Sequence, residues 1–150
     1  MSCSINKIPV FLSFFINSKS LFNSDVTSSL YNGFLKAINE SEYDQDIKLI
    51  DVPGAFDIPG AVSRILGHDD CKIIITLGCV IKGETDHYHY ISEAVTKGIM
   101  SVTLEQETNS SIIFGVLTCQ NKELAYARSG DNTKNKGFEA GLAAVHQINN

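Results

Sequence analysis

The chain has 150 residues, 43% of them hydrophobic and 19% charged, which is the size and composition of one globular domain rather than of a disordered segment. Twelve basic against seventeen acidic residues give a net charge of −5, and no basic run offers a footprint for nucleic acid or an anionic membrane surface. No apolar stretch reaches the roughly 18 residues of a membrane span, and the run Val10–Ile16 lacks the basic flank and cleavage site of a secretory signal, so a cytoplasmic protein is expected.

Apolar runs alternate with segments of helical period along the whole chain. Ile8–Ile16 is expected to be a strand. Asp25–Asn39 is a helix with Val26, Leu30, Phe34, Ala37 and Ile38 on one face, capped by Ser24 or Asn23. Ile47–Val52 is a short strand, and Ile58–Leu66 a helix stopped by Gly67. Lys72–Val80, with its near-continuous apolar run, is the clearest strand. Tyr88 to about Leu104 is a helix, Ser111–Leu117 a strand, and Asn121–Ser129 and Lys134–Asn149 are the closing helices. Strands separated by helices imply an α/β, three-layer αβα fold of flavodoxin-like type: a four-stranded parallel sheet, order 2-1-3-4, with helices on both faces. The four cysteines, Cys3, Cys71, Cys79 and Cys119, form no C-x-x-C pair and match no zinc spacing; free thiols in a reducing compartment, and no metal, are expected.

In such a fold, ligands bind beyond the carboxyl ends of the strands. Phe22-Asn23 follows the first strand, and Phe22 is placed to stack on a planar heterocycle. Pro53 to Pro59 follows the second. Gly83-Glu84-Thr85-Asp86-His87 follows the third and opens a helix, where free N–H groups favour an anion; Thr85 or Asp86 can also simply cap that helix. The imidazole of His87 suits proton transfer near neutral pH. Arg128 and Lys136 flank the last interhelical turn, and a guanidinium can grip a phosphate with two bonds. Asn135-Lys136-Gly137 reads locally as a helix start and nothing more.

Taken in order, Phe22-Asn23-x-x-Val26-Thr27, Val52 to Pro59, Leu77 to Thr85 with His87, Ile113 to Thr118, Ala127 to Gly130 and Asn135 to Ala140 resemble the lumazine synthase (6,7-dimethyl-8-ribityllumazine synthase) family across nearly the whole chain. The resemblance implies condensation of 5-amino-6-ribitylaminouracil with 3,4-dihydroxy-2-butanone 4-phosphate, with no cofactor and no metal. It implies that Phe22, beside Asn23, stacks on the pyrimidine, that Ala55, Phe56 and Asp57 line the ribityl pocket, and that Val80 and Ile81 offer backbone groups to the ring. It implies that Glu84, Thr85, Arg128 and Lys136 bind phosphate, that His87 shuttles protons, and that Phe114 comes from a neighbouring subunit. A homopentamer with sites between subunits, sometimes built into a larger shell, is implied as well.

This chain departs from the family pattern at several places. Asp57 stands where the family usually has Glu, a reach shorter by about 1.3 Å. Asn17–Leu21 reads as extra loop before Phe22, and Ser20-Leu21 replaces a common Gly-Arg pair. The segment before Lys7 is short where many members carry a longer strand that joins a neighbour's sheet. The turn Gly130–Lys134 differs in residues but keeps the spacing from Arg128 to Lys136. A non-catalytic flavin- or lumazine-binding or shell-forming member is the alternative these departures allow. A generic flavodoxin-like phosphosugar binder would leave the order of the motifs unexplained.

Overall fold

The structure, a computed structural model, describes residues 15–18, 23–41, 47–68 and 71–150. In chain order the elements are β1 (Phe15–Ser18), α1 (Ser24–Glu40), β2 (Leu49–Val52), a single 3-10 turn (Ala55–Asp57), α2 (Ile58–His68), β3 (Ile73–Ile81), α3 (His87–Glu105), β4 (Ser111–Cys119), α4 (Lys122–Ala127) and α5 (Lys136–Ile148). The four strands form one sheet in the order β2-β1-β3-β4, and every pairing is parallel. Cys3, Phe22 and the part of the expected first strand before Phe15 lie outside the described residues.

β3 shows why helices cover both faces. Its side chains alternate with the strand period of two. Ile73, Ile75, Leu77 and Cys79 join one core with Val26, Leu30, Phe34 and Ile38 of α1, Ala125 of α4, and Ala140 and Ala144 of α5. Ile74 and Val80 join the other, with Ile58, Ala61, Val62 and Ile65 of α2 and Tyr88, Val95 and Ile99 of α3. A central strand buried on both faces has no room for polar alternation. Its one polar side chain, Thr76, is satisfied by donating to the Ile113 carbonyl at 3.0 Å.

The structure corrects three local expectations. Gly67 does not stop α2, which runs on to His68. No glycine has the positive φ of a helix-ending residue, so Gly67 is an ordinary helical position. Asn17 and Ser18 are not loop: they extend β1, pairing with Asp51 and Val52, because the backbone ladder does not need apolar side chains. Asn23 occupies the position before α1 but makes no side-chain cap; its amide is spent elsewhere.

The closest helix pair is α1 against α5. A Cβ on Gly137 would overlap the Leu30 carbonyl, one on Gly33 would overlap the Asn135 amide, and one on Gly141 would lie 2.6 Å from the Ala37 methyl. Three glycines thus set the interhelix distance by having no side chain. Overpacking of this kind costs about 1–3 kcal/mol or more. Gly137→Ala is expected to cost at least ~2 kcal/mol in denaturant unfolding, whereas Gly67→Ala, with open space around it, is neutral or stabilising by up to about 1 kcal/mol. Equal effects at the two positions would refute the packing account.

Candidate active site

Beyond the carboxyl end of β3 lies a cleft of about 410 Å³, lined by Asn23, Ala55, Cys79, Val80, Ile81, His87, Ile91 and Lys122. Each wall has a local cause. Asn23 donates its amide to the Cys79 carbonyl at 3.1 Å, pinning the start of α1 to the end of β3. Ala55 is buried in the 3-10 turn after β2. Val80 and Ile81 are the last residues of β3, paired with Thr118 and Cys119 of β4. His87 is the first residue of α3 and exposed. Its backbone N–H donates to the Thr85 hydroxyl at 3.4 Å, so Thr85 closes the loop into the helix.

The other described residues singled out from the sequence are not among those lining this cleft. Phe56 is exposed on the 3-10 turn, and Glu84 and Thr85 are exposed on the loop before α3. The Asp57 carboxylate turns back and accepts the Gly54 N–H at 3.1 Å, and it borders a separate hollow with Pro53 and Arg64. Phe114 is mid-strand, opposite Thr76, on the sheet's edge strand and exposed. Arg128 and Lys136 meet across the α4–α5 turn. The Arg128 guanidinium donates to both carboxylate oxygens of Glu139, at 3.1 and 3.2 Å, and to the Lys134 carbonyl at 2.9 Å. The Lys136 ammonium reaches Glu139 at 3.3 Å, and its backbone N–H donates to the Arg128 carbonyl at 2.7 Å. Two cations share one carboxylate there, leaving net positive charge beside a fixed turn.

Two contributors were not legible as such in the sequence. Lys122 lines the cleft, yet an isolated Lys after a strand looks like any solvated charge. Asn135, expected only to start a helix, is buried. It caps α5 by accepting the Phe138 N–H at 3.0 Å, and its amide approaches the carbonyls of Ser29, Ser129 and Gly130 at 3.2, 2.7 and 3.0 Å. An Asn before a helix signals the cap; nothing local signals the three carbonyls.

The three described cysteines, Cys71, Cys79 and Cys119, are free and buried. Burial pushes the Cys79 thiol up to about 12, with the neighbouring Cys119 adding to the shift. Burial also raises Cys119, against the opposing pull of Arg128. Cys79 is therefore an inert part of the cleft wall, because the thiolate is the reactive form. In the unfolded chain it ionises near the ordinary 9.0 while the folded thiol stays neutral to about 12. Across that window the unfolded chain binds fewer protons, so stability falls as pH rises. Iodoacetamide at pH 8 is expected to label Cys79 at least ~100-fold more slowly in the native chain than in denaturant, read by mass spectrometry. Comparable rates would contradict a buried, neutral thiol.

The chain matches the family model described as 6,7-dimethyl-8-ribityllumazine synthase over residues 16–150. It is 44% identical over 130 residues to a 6,7-dimethyl-8-ribityllumazine synthase of Coxiella burnetii (strain Dugway 5J108-111), covering 86% of this chain and 85% of the relative. It is 43% identical over the same coverage to the proteins of that name in strains CbuG_Q212 and RSA 493 / Nine Mile phase I. With its parallel sheet and its cleft at the strand ends, the chain belongs to the 6,7-dimethyl-8-ribityllumazine synthase family.

Proposed function

We propose that the chain is a transferase of riboflavin biosynthesis that makes 6,7-dimethyl-8-ribityllumazine from 5-amino-6-ribitylaminouracil and 3,4-dihydroxy-2-butanone 4-phosphate. The observation that carries this is His87 in one cleft with the end of β3, in a chain matched to the family over residues 16–150. The 5-amino nitrogen attacks the ketone carbon, and loss of water gives an imine. A proton leaves C3, between the imine and the phosphate-bearing carbon, as the C4–O bond breaks with its electron pair going to phosphate, and the resulting enol tautomerises to a ketone at C3. Ring closure by the ribitylamino nitrogen releases a second water.

The pyrimidine would lie against the β3 end, held by the backbone of Val80 and Ile81 and by Asn23, with Phe22 stacking on it. Ala55, Phe56 and Asp57 would receive the ribityl chain. One Asp57 oxygen holds the Gly54 N–H, which leaves its other oxygen to meet the ribityl chain directly or through water; the shorter reach of Asp compared with Glu is what favours a binding-only member. His87 would carry the protons of imine formation and phosphate loss. Glu84 and Thr85, through the loop backbone and the hydroxyl, and Arg128 and Lys136, through charge, would hold the phosphate. Much of the acceleration would come from holding two reactants in register.

The site would be completed between copies of the chain. Two sets of exposed apolar residues support this: Phe56, Tyr90, Met100 and Leu104 on the 3-10 turn and α3, and Phe114, Leu124, Tyr126 and Leu142 on β4, α4 and α5. Tyr90 and Leu104 are 70% and 75% exposed, and unlike surfaces that join head to tail make a ring where the rotation between copies closes. A homopentamer, alone or within a larger shell, with Phe114 closing a neighbour's cleft, fits that arrangement. No described helix is long and apolar enough to cross a membrane, and free cysteines fit the cytoplasm.

Product absorbance after mixing protein with both substrates tests the activity, with the uncatalysed background subtracted. Wild type is expected to exceed background clearly. Arg128→Ala should raise KM for the butanone phosphate about tenfold or more, the worth of a charge-assisted contact. His87→Asn should lower kcat by up to about a hundredfold. An assembled wild-type protein that binds the lumazine but makes none would favour the binding-only reading.

A further inference from the structure

Among the described residues lining the cleft, Lys122 is the one permanent charge; the others are apolar or neutral apart from the titratable His87, and no carboxylate is among them. Its place is fixed by the start of α4, where the Asn121 side chain accepts the Leu124 N–H at 2.9 Å. Arg128 and Lys136 both lean on Glu139, but Lys122 forms no ion pair or hydrogen bond among the described residues. The opposing charge it feels is Asp25, whose carboxylate is itself engaged by the Tyr126 hydroxyl at 2.8 Å. An ammonium held in no ion pair, at the wall of a cleft lined mainly by apolar side chains, favours an anion, and a lysine presents it as a flexible point charge with three donors. Of the two proposed substrates the ribitylaminouracil is uncharged at neutral pH, whereas the phosphate ester carries nearly two negative charges.

We propose that Lys122 is a phosphate-holding residue of this cleft, donating to the ester phosphate of the ketone substrate and selecting the phosphorylated ketone over its uncharged counterpart. This rests on the reading of the cleft as the substrate site and adds to it a cation supplied by α4. Holding the phosphate from the cleft side places the leaving group beside His87, which lines the same cleft. Lys122 would therefore act on capture of the ester and not on the pyrimidine.

The test compares wild type with Lys122→Met, which keeps the apolar stem, and Lys122→Arg, which keeps the charge. KM for each substrate is measured separately, and inorganic phosphate is titrated into each protein by calorimetry. Lys122→Met should raise KM for the butanone phosphate about five- to tenfold and weaken inorganic phosphate by a similar factor, the effect of losing one charged contact. KM for the uracil substrate should stay within about twofold, and Lys122→Arg should restore most of the loss. Unchanged ester KM and phosphate affinity in Lys122→Met, or a change confined to the uracil substrate, would overturn the assignment. If wild type forms no lumazine, the proposed activity fails, and the phosphate titration still decides the role of Lys122: a weakened titration in Lys122→Met supports it and an unchanged one refutes it.

Discussion

The arrangement of the α4–α5 side of the molecule depends on one buried amide. Asn135 faces backbone carbonyls from α1 and from the turn after α4, and it also caps α5. An amide buried without such partners would cost about 1–3 kcal/mol. It can reach them only because α5 sits almost against α1, and that approach exists because Gly33, Gly137 and Gly141 carry no Cβ. The same turn brings Arg128 and Lys136 together over Glu139. The separation of two helices is thereby converted into the position of two cations. The ion pairs themselves are half-exposed and worth little to stability; their value is orientation.

The cleft is built by different means. β3 is buried on both faces, so its end is rigid, and Asn23 ties α1 to it through the Cys79 carbonyl. α3 begins immediately beyond the loop, and the Thr85 hydroxyl holds its first N–H. Two sets of chemistry-bearing groups stand out. Asn23, Ala55, Val80, Ile81 and His87 share one cleft, while Phe114, Arg128 and Lys136 belong to β4 and the α4–α5 turn. Exposed apolar residues fall on the elements of both sets, the 3-10 turn and α3 on one side and β4, α4 and α5 on the other, as a head-to-tail contact between copies would need.

Much of this was legible in the residues. β3, β4, α1 and α3 fall within two residues of their expected bounds, because long runs of one hydrophobic period admit one solution. The strand-end rule put His87 beyond the third strand, and the family resemblance added Val80 and Ile81, which line the same cleft. What escaped was tertiary. Gly67 resembled a helix stop, but whether a glycine ends a helix depends on its φ, which the sequence does not carry. Asn17 and Ser18 looked like loop, yet strand pairing reads the backbone and not side-chain polarity. Asn135 looked like an ordinary cap because its other partners lie as far off as Ser29, 106 residues away. Lys122 carried no local pattern, and only the curl of α4 towards the end of β3 brings it to the cleft.

The central claim is that the cleft of one chain and the β4 edge of another make one working site. The most direct measurement mixes two separately impaired variants, His87→Asn and Phe114→Asp, after joint unfolding and refolding, and records lumazine formation. If the site is shared, about one quarter of the interfaces in a random mixture join two intact halves, and activity should recover towards that fraction of wild type. If each chain holds a complete site, the mixture will be no more active than the average of its two components, and the shared-site account is wrong.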